Sequence, residues 1–229
     1  MSDTFDLEPE FLQLYERCRD ETMTSIERMY ALYKATCYIV DRKIAGDFVE
    51  CGVWRGGSVM LIALTLLNRR CTDRTIWLYD TFAGMTAPSP ADVQEMSGRP
   101  ASDILAENDR SEDNPFWGIA ACSLVEGNLR CTQYPTDRFR IIEGDVLTTI
   151  PAQAPAEIAL LRLDTDWYAT TKHELEHLYP RISPNGVVII DDYGYWRGAR
   201  KATDDYWASL PDPPLLNRID FTGRIAVKP

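Results

Sequence analysis

Two short apolar runs, each followed by aspartates, constrain the fold of this chain most strongly. Ile158 to Leu163 and Val187 to Ile190 have the length and composition of buried parallel strands. The segment between them shows helical periodicity and ends in turn residues 183–186, which predicts a helix closed by that turn. Its apolar face consists of Leu175, Leu178, Tyr179 and Ile182. Such a strand, helix, strand unit brings both strand ends to one crevice, where ligands bind.

The aspartates stand where the two predicted strands end. Asp164 and Asp166 follow the first run, and Asp191 and Asp192 follow the second. Four converging carboxylates would repel one another, and a hard divalent cation bound through oxygen is the simplest relief. We therefore predict a metal site built from Asp164, Asp191 and Asp192, with Asp166 beside it. Helix capping is the alternative; it explains one or two of these aspartates, but two clusters poorly.

Composition narrows the class of protein. The 229 residues suffice for one domain with a substantial core, and the net charge of -11 disfavours nucleic acid and anionic membranes as partners. The acidic opening lacks the pattern of a signal peptide, and no apolar run reaches the roughly 18 residues that span a bilayer. Six cysteines without a CxxC pair predict a reduced protein of the cytoplasm.

A glycine turn follows the first predicted strand, Asp47 to Gly52, and precedes an apolar helix from Val59 to Leu67. This arrangement presents backbone N–H groups to an anionic ligand group. A dinucleotide fingerprint needs glycine at position 54, where this chain has tryptophan. The lysine that precedes the serine of a P-loop is also missing before Ser58, so phosphate binding is disfavoured. Glu50 is placed to hold a cationic amine while the turn holds a carboxylate. Together these groups describe a site for an amino-acid head group.

Acidic residues also end the next two predicted strands. Asp80 follows the strand from Thr75 to Tyr79, where a carboxylate can accept hydrogen bonds from ribose hydroxyls. After the strand from Arg138 to Ile142, Asp145 is placed to reach an adenine amino group and Val146 to pack on the ring. A helix cap or a turn aspartate is the alternative for Asp80, and a plain turn is the alternative at Asp145.

The remaining segments predict peripheral elements. A capping box at Thr24 begins a helix within an N-terminal helical cap of about residues 1–45. Residues 84–118 are rich in proline, serine, aspartate and asparagine, and loops of this length often form lids; we predict a lid over the acceptor site. Further helices are predicted at 119–129 and 199–207, and a terminal hairpin at 215–219 and 224–228.

One motif predicts a different chemistry. Residues 173–177 match H-E-x-x-H, in which two histidines bind zinc and the glutamate acts as general base. At helical spacing, His173 and His177 fall away from the apolar face, which predicts that both point to solvent. The chain has no other histidine, so a third ligand would have to be a carboxylate. A zinc hydrolase using His173, Glu174 and His177 stays as the alternative of another class.

Four segments together resemble class I S-adenosylmethionine-dependent methyltransferases, and more narrowly the macrocin, mycinamicin and novobiocin sugar O-methyltransferase family. The segments are FVECGVWRGGS (48–58), LYDTFAGM (78–85), LLRLDTDWY (160–168) and SPNGVVIIDDYGYWRGARKATDDYW (183–207). The resemblance implies a single α/β domain over residues 1–229 with a Rossmann-like, mostly parallel seven-stranded sheet. It also implies antiparallel final strands and helices on both faces.

The resemblance further implies a chemistry for the aspartates. Magnesium would bind Asp164, Asp191 and Asp192, and Asp166 would be the general base for methyl transfer to a hydroxyl of a small-molecule acceptor. The expected acceptor is a sugar diol of a secondary metabolite, with a catechol as the alternative. Oligomeric state, including a homo-oligomer, is left open. The expected donor-binding residues are Glu50, Gly52, Arg55, Ser58, Asp80, Asp145 and Val146.

Overall fold

The computed structural model describes residues 6–112 and 114–229. Residues 1–5 of the predicted N-terminal cap and residue 113 of the predicted lid lie outside the described residues. The strands are β1 (Asp47–Cys51), β2 (Ile76–Asp80), β3 (Phe139–Glu143), β4 (Ile158–Leu163), β5 (Ile182–Ile190), β6 (Asn217–Arg218) and β7 (Arg224–Val227). The α-helices are α1 (Pro9–Glu16), α2 (Ile26–Arg42), α3 (Gly57–Asn68), α4 (Ala101–Ala106), α5 (Cys122–Thr132), α6 (Val146–Thr149), α7 (Tyr168–Leu178) and α8 (Arg197–Ser209).

The strands form one sheet. In the described part of the chain it has seven strands in the order β3-β2-β1-β4-β5-β7-β6. Strands β1 to β5 are parallel, whereas β7 runs antiparallel to β5, and β6 runs antiparallel to β7. The predicted mostly parallel sheet with antiparallel final strands is confirmed. The parallel order places the carboxyl ends of β1, β4 and β5 side by side.

Alternation along the strands explains why helices cover both faces. In β4, Leu160 belongs to the apolar cluster beneath α1, α2 and α3, whereas Leu161 belongs to the cluster beneath α7 and α8. Phe48 and Val49 of β1 divide in the same way. Successive strand residues point to opposite faces, so each apolar run supplies both cores at once. This is why β4, apart from Arg162, is apolar and lacks the polar alternation of a half-exposed strand.

The predicted end of the helix between β4 and β5 is wrong. Helix α7 stops at Leu178, a 3₁₀ turn spans Tyr179–Arg181, and β5 already begins at Ile182. Pro180 has no N–H to donate to an α-helix, so the chain tightens into the 3₁₀ turn there. Residues 183–186, predicted as the closing turn, instead lie within β5. An irregular register beside β4 accommodates them.

The segment 84–118 contains little regular structure. Helix α4 is the α-helix among its described residues, and isolated bridges pair Val93 with Pro100 and Gln94 with Trp196. Ile104 and Leu105 of α4 pack with Trp167 and Trp196 in a separate apolar cluster. The segment is therefore attached to the sheet edge where β4 and β5 end.

Two features of the fold bear on the predictions from composition. Within residues 6–112 and 114–229, the helices are too short or too polar to cross a membrane. All six cysteines carry free thiols, and Cys18, Cys37 and Cys51 are buried. Cysteine pairing therefore contributes nothing to the stability of this fold.

Candidate active site

Two adjoining cavities open at the carboxyl ends of the central strands. The larger cavity has a volume of about 360 Å³ and the smaller cavity about 130 Å³. Both are lined by Trp54, Asp164, Asp166 and Trp167, so the two spaces meet at the aspartates that follow β4. Ligands of α/β sheets bind at this edge. The smaller cavity lies toward β2 and β3, and the larger cavity lies toward β5 and the N-terminal helices.

The structure brings together the three aspartates predicted as metal ligands. One carboxylate oxygen from each of Asp164, Asp191 and Asp192 lies within 4.8 Å of the others. Asp191 and Asp192 are buried, at 2% and 8% exposure, and all three line the larger cavity. Among the described residues, these three form the group of possible metal ligands. The shared geometry follows from adjacent parallel strands that both end in aspartate.

Two arginines occupy part of this acidic cluster, and sequence reasoning missed both. The Arg162 guanidinium lies 2.8 Å from Asp164 and 2.6 Å from Asp191, and it also pairs with Glu50. Arg28 of α2 pairs with the second oxygen of Asp191. The signal in the sequence was Arg162 itself, which interrupts the apolar run of β4. Such a buried charge must be paired, because its desolvation is costly.

Repulsion among the aspartates is weaker than the sequence suggested, because arginines pair with two of them. Asp164 and Asp191 have guanidinium partners, yet carboxylates still outnumber guanidinium groups around the cluster. Burial raises the pKa of Asp191 and of Asp192; Arg162 and Arg28 oppose that rise at Asp191. A cluster of carboxylate oxygens with residual negative charge fits a hard divalent cation. The residues present are thus compatible with magnesium.

Asp166 lies beside the cluster in a constrained turn. Its Oδ1 accepts a hydrogen bond from the Trp196 indole N–H at 2.6 Å, and its backbone N–H donates to Asp192 at 3.3 Å. Its φ is +65°, a left-handed conformation for a residue with a side chain. Burial and the neighbouring Asp164 carboxylate raise the pKa of Asp166 to about 7. A carboxylate with such a pKa can accept a proton near neutral pH.

Glu50 lies in the larger cavity, and its surroundings differ from those predicted. It is 1% exposed and pairs with Arg162, the residue opposite it in the β1 to β4 register. Its second oxygen, Oε2, is buried without a hydrogen-bond partner. Burial raises the pKa of Glu50 to about 8, although Arg162 lowers it. Arg162 thus holds one carboxylate oxygen of Glu50 and leaves the other for a further donor.

The other predicted donor-binding residues divide between three places. Gly52, Asp80, Asp145 and Val146 line the smaller cavity, whereas Ser58 lines the larger cavity. Arg55 lines neither cavity within the described chain, and its guanidinium stacks 4.8 Å from the centre of the Trp54 ring.

Asp80 and Asp145 also make hydrogen bonds within the fold that require no ligand. Asp80 accepts hydrogen bonds from the N–H groups of Val53 and Trp54 at 2.6 and 3.0 Å. Asp145 caps α6 by accepting from the N–H of Leu147 at 2.9 Å. The N–H groups at the start of the glycine turn therefore already have a carboxylate partner.

The zinc motif does not form a metal site within the described residues. Glu174 is completely buried and accepts hydrogen bonds from Thr165, so it is no solvent-exposed base. His173 and His177 were predicted to point to solvent, but both are half-buried. Nε2 of His173 lies 2.9 Å from the carbonyl oxygen of Ile150, and the two rings are 4.4 Å apart. Helix α7 instead packs the face that carries His173 against α6 and Ile150, the residue that follows α6.

Comparison with known proteins identifies the family. Residues 18–226 match the family described as Macrocin-O-methyltransferase (TylF). The 8-demethyl-8-(2,3-dimethoxy-alpha-L-rhamnosyl)-tetracenomycin-C 4'-O-methyltransferase of Streptomyces olivaceus is 33% identical over 205 residues, 88% of this chain and 73% of that protein. The demethyldecarbamoylnovobiocin O-methyltransferase of Streptomyces niveus is 29% identical over the same shares of the two chains.

Structural comparison agrees with the sequence match. The solved structure of the O-methyltransferase NovP superposes with a TM-score of 0.77 at 28% identity. The match covers 91% of this chain and 82% of that one. The predicted resemblance is confirmed, and the chain belongs to the macrocin O-methyltransferase (TylF) family of O-methyltransferases.

Proposed function

We propose that this enzyme methylates a hydroxyl of a sugar diol in a secondary metabolite, with S-adenosylmethionine as donor and Mg²⁺ at Asp164, Asp191 and Asp192. The observation that carries the proposal is the convergence of these three carboxylates where the two cavities meet, beside Asp166. Family membership supports the reaction type. The name of the Streptomyces olivaceus relative describes an acceptor that bears a rhamnosyl group, which favours a sugar here.

The smaller cavity is the proposed donor site. S-adenosylmethionine supplies the methyl group on a sulfonium centre. Asp80 would accept hydrogen bonds from the ribose, and Asp145 and Val146 would contact the adenine. The amino-acid end would lie toward the glycine turn, where Gly52, Arg55 and Ser58 stand, with its amine near the unpaired oxygen of Glu50. The donor would thus extend across the junction of the cavities, with its adenosine in the smaller cavity and its amino-acid end beside Glu50 and Ser58 of the larger cavity.

The acidic cluster is the proposed metal site. Asp164, Asp191 and Asp192 would hold Mg²⁺, which supplies Lewis acidity and lowers the pKa of an acceptor hydroxyl. Arg162 and Arg28 fix the carboxylate of Asp191 from both oxygens, which limits its freedom to rotate. A metal ligand held in this way can keep the acceptor in a fixed orientation.

Asp166 is the proposed general base. It lines both cavities at their boundary, so its carboxylate can reach a hydroxyl group held beside the metal site. The Trp196 indole leaves one carboxylate oxygen of Asp166 to accept the proton of the acceptor hydroxyl. Trp196 also keeps the side chain in one orientation.

The rest of the larger cavity is the proposed acceptor site, and residues 84–118 would cover it. We propose that the site and its cover belong to one domain over residues 1–229. Ile104, Leu105 and Phe116 of that segment line it. Trp167 and Trp196 add aromatic surface, which also favours a planar catechol as a second acceptor class. The free cysteines support a place in the reducing cytoplasm.

Calorimetry and an acceptor screen test this function together. S-adenosylmethionine is titrated into the protein with and without Mg²⁺, and NAD serves as the control ligand. Glycosides with neighbouring hydroxyls and simple catechols are then incubated with the protein, S-adenosylmethionine and Mg²⁺, and the mass of each product is measured. Donor binding is expected, together with a glycoside product in which one methyl group replaces a hydroxyl hydrogen, a net mass gain of CH2. Preference for NAD, or no methylated product from any diol, would refute the proposal.

A further inference from the structure

The turn that carries Asp166 is held from outside the two cavities. Its φ of +65° is a conformation that persists only when surrounding contacts impose it. Besides Asp192, two further buried carboxyl groups contact the turn of residues 165–168, namely those of Asp92 and Glu174, which are 1% and 0% exposed. Neither side chain lines the larger or the smaller cavity of the described chain. These two buried carboxyl groups therefore contact the turn itself and not a ligand in either cavity.

Asp92 caps helix α7 from a different part of the chain. Tyr168 is the first residue of α7, so its N–H has no partner within the helix. Asp92 accepts a hydrogen bond from that N–H at 2.7 Å, while the N-cap residue Trp167 provides no side-chain cap. A carboxylate at this position also interacts favourably with the helix dipole. Asp92 thus fixes the backbone two residues after Asp166.

The other carboxylate oxygen of Asp92, Oδ2, accepts hydrogen bonds within the irregular segment that precedes α4. The N–H and the hydroxyl of Ser89 donate to Asp92 Oδ2 at 2.6 and 2.7 Å. Gly198 of α8 also lies against Asp92, because a Cβ there would be 1.8 Å from its Oδ1. Trp196, two residues earlier, donates to Asp166. Asp92 therefore contacts both α7, which follows Asp166 in the chain, and α8, which follows Trp196.

Glu174 holds the beginning of the same turn. The hydroxyl of Thr165, the residue before Asp166, donates to both carboxylate oxygens of Glu174 at 3.0 Å. Glu174 lies on the buried side of α7, nearly two helical turns after Tyr168. Asp92 and Glu174 thus hold the two ends of a four-residue turn with Asp166 between them.

We propose that Asp92 and Glu174 are positioning residues, which hold the turn of residues 165–168 so that Asp166 is aligned for methyl transfer. The inference rests on the proposed function for the role of Asp166. It assigns a purpose to the glutamate of the H-E-x-x-H pattern and to a buried aspartate in the segment 84–118. A small displacement of a reacting group can cost about 10²-fold in rate, although no ligand contact is lost.

Steady-state kinetics on substituted enzymes test the inference. Asp92→Ala and Glu174→Leu should each lower kcat by about 10²-fold, because the turn relaxes, while the dissociation constant for S-adenosylmethionine stays unchanged. Asp92→Asn and Glu174→Gln each keep an oxygen that accepts from Tyr168 or Thr165, so they should recover much of the loss. Asp103→Ala, at an exposed carboxylate of α4, is the matched control and should leave kcat unchanged. Unchanged kcat in both Asp92→Ala and Glu174→Leu would overturn the inference.

Amide hydrogen exchange gives a second test that does not require an acceptor. In Asp92→Asn and in Asp92→Ala, the peptide that contains Tyr168 should exchange faster than in the wild type, and faster in Ala than in Asn. Peptides from β2 should be unchanged, which excludes general unfolding. If the wild type methylates no diol, the proposed function fails, whereas unchanged exchange at Tyr168 would refute the positioning role itself.

Discussion

Arg162 and Asp164 lie two positions apart where β4 ends, and their side chains meet at 2.8 Å. Residues two apart in a strand point to the same face, so the contact follows directly from the strand geometry. Arg162 also pairs with Glu50 of the neighbouring strand and with Asp191 after β5. One buried cation therefore links the ends of three adjacent strands at the proposed metal site.

Substituting Arg162 tests how far the fold depends on this link. Arg162→Met should lower the free energy of unfolding by about 3–5 kcal/mol, because Glu50, Asp164 and Asp191 lose their buried partner. Denaturation in urea measures the change. Arg130→Met is the control, since its pair with Glu126 is exposed and contributes about 0.5 kcal/mol or less. A variant as stable as the wild type would show that Arg162 is not needed to neutralise the cluster.

Replacing the proposed base separates chemistry from binding. Asp166→Asn keeps an oxygen that accepts the Trp196 indole N–H, so the turn should stay intact. Loss of the base should lower kcat by about 10²- to 10⁴-fold, with the affinity for S-adenosylmethionine unchanged. Single-turnover methyl transfer and calorimetry measure the two quantities. Equal turnover in the variant and the wild type would remove Asp166 from the mechanism.

Removal of the metal should stop the reaction reversibly. After dialysis against a chelator, the enzyme should lose activity and regain it when Mg²⁺ is added. In Asp192→Asn the Mg²⁺ concentration for half-activation should rise by at least about 10- to 100-fold. Substituting residues that only support a metal ligand already lowers metal affinity by about this factor. Binding of Mn²⁺, followed by electron paramagnetic resonance, should weaken in parallel. Asp137→Asn, an exposed surface change, is the control. Full activity with chelator present would contradict a metal requirement.

Local patterns in the sequence predicted much of the fold. Buried parallel strands need continuous apolar residues, so β4 and the second half of β5 could be recognised, and the aspartates that follow them could be placed at one edge. Adjacent parallel strands end together, which is why Asp164 and Asp191 meet although 26 residues separate them in the chain. Only the boundary at residues 183–186 depended on strand register, which periodicity does not reveal.

Contacts between distant side chains could not be predicted in this way. Arg28 reaches Asp191 from α2, and Asp92 reaches Tyr168 from an irregular segment. Neither pair has a spacing in the sequence that strand or helix geometry would bring together. Arg162 was visible as the charged residue in an apolar strand, but its partners depend on which strands become neighbours. The positions of the three clustered aspartates were therefore more predictable than the contacts that hold them in place.

The histidines of the H-E-x-x-H pattern should be dispensable for catalysis. His177→Ala removes a half-buried ring that packs on His173, away from both cavities in the described chain. Methyl transfer should be unchanged, and the protein should hold no zinc before or after the substitution. Elemental analysis and the methyl-transfer assay check both points. A bound zinc ion that disappears in His177→Ala would favour the hydrolase alternative.

Gly52 controls how closely the glycine turn approaches the acidic cluster. Its φ is +84°, and a Cβ there would lie 1.8 Å from the carbonyl oxygen of Asp164. Gly52→Ala must therefore displace Asp164 or the turn, and we expect weaker binding of S-adenosylmethionine and a lower kcat. Gly127→Ala in α5 is the matched control, because no atom lies within 4 Å of its Cβ and alanine favours a helix by about 0.5–1 kcal/mol. Calorimetry measures the affinity of both variants for S-adenosylmethionine. If Gly52→Ala binds the donor as tightly as the wild type does, donor binding does not depend on the close approach of Gly52 to Asp164.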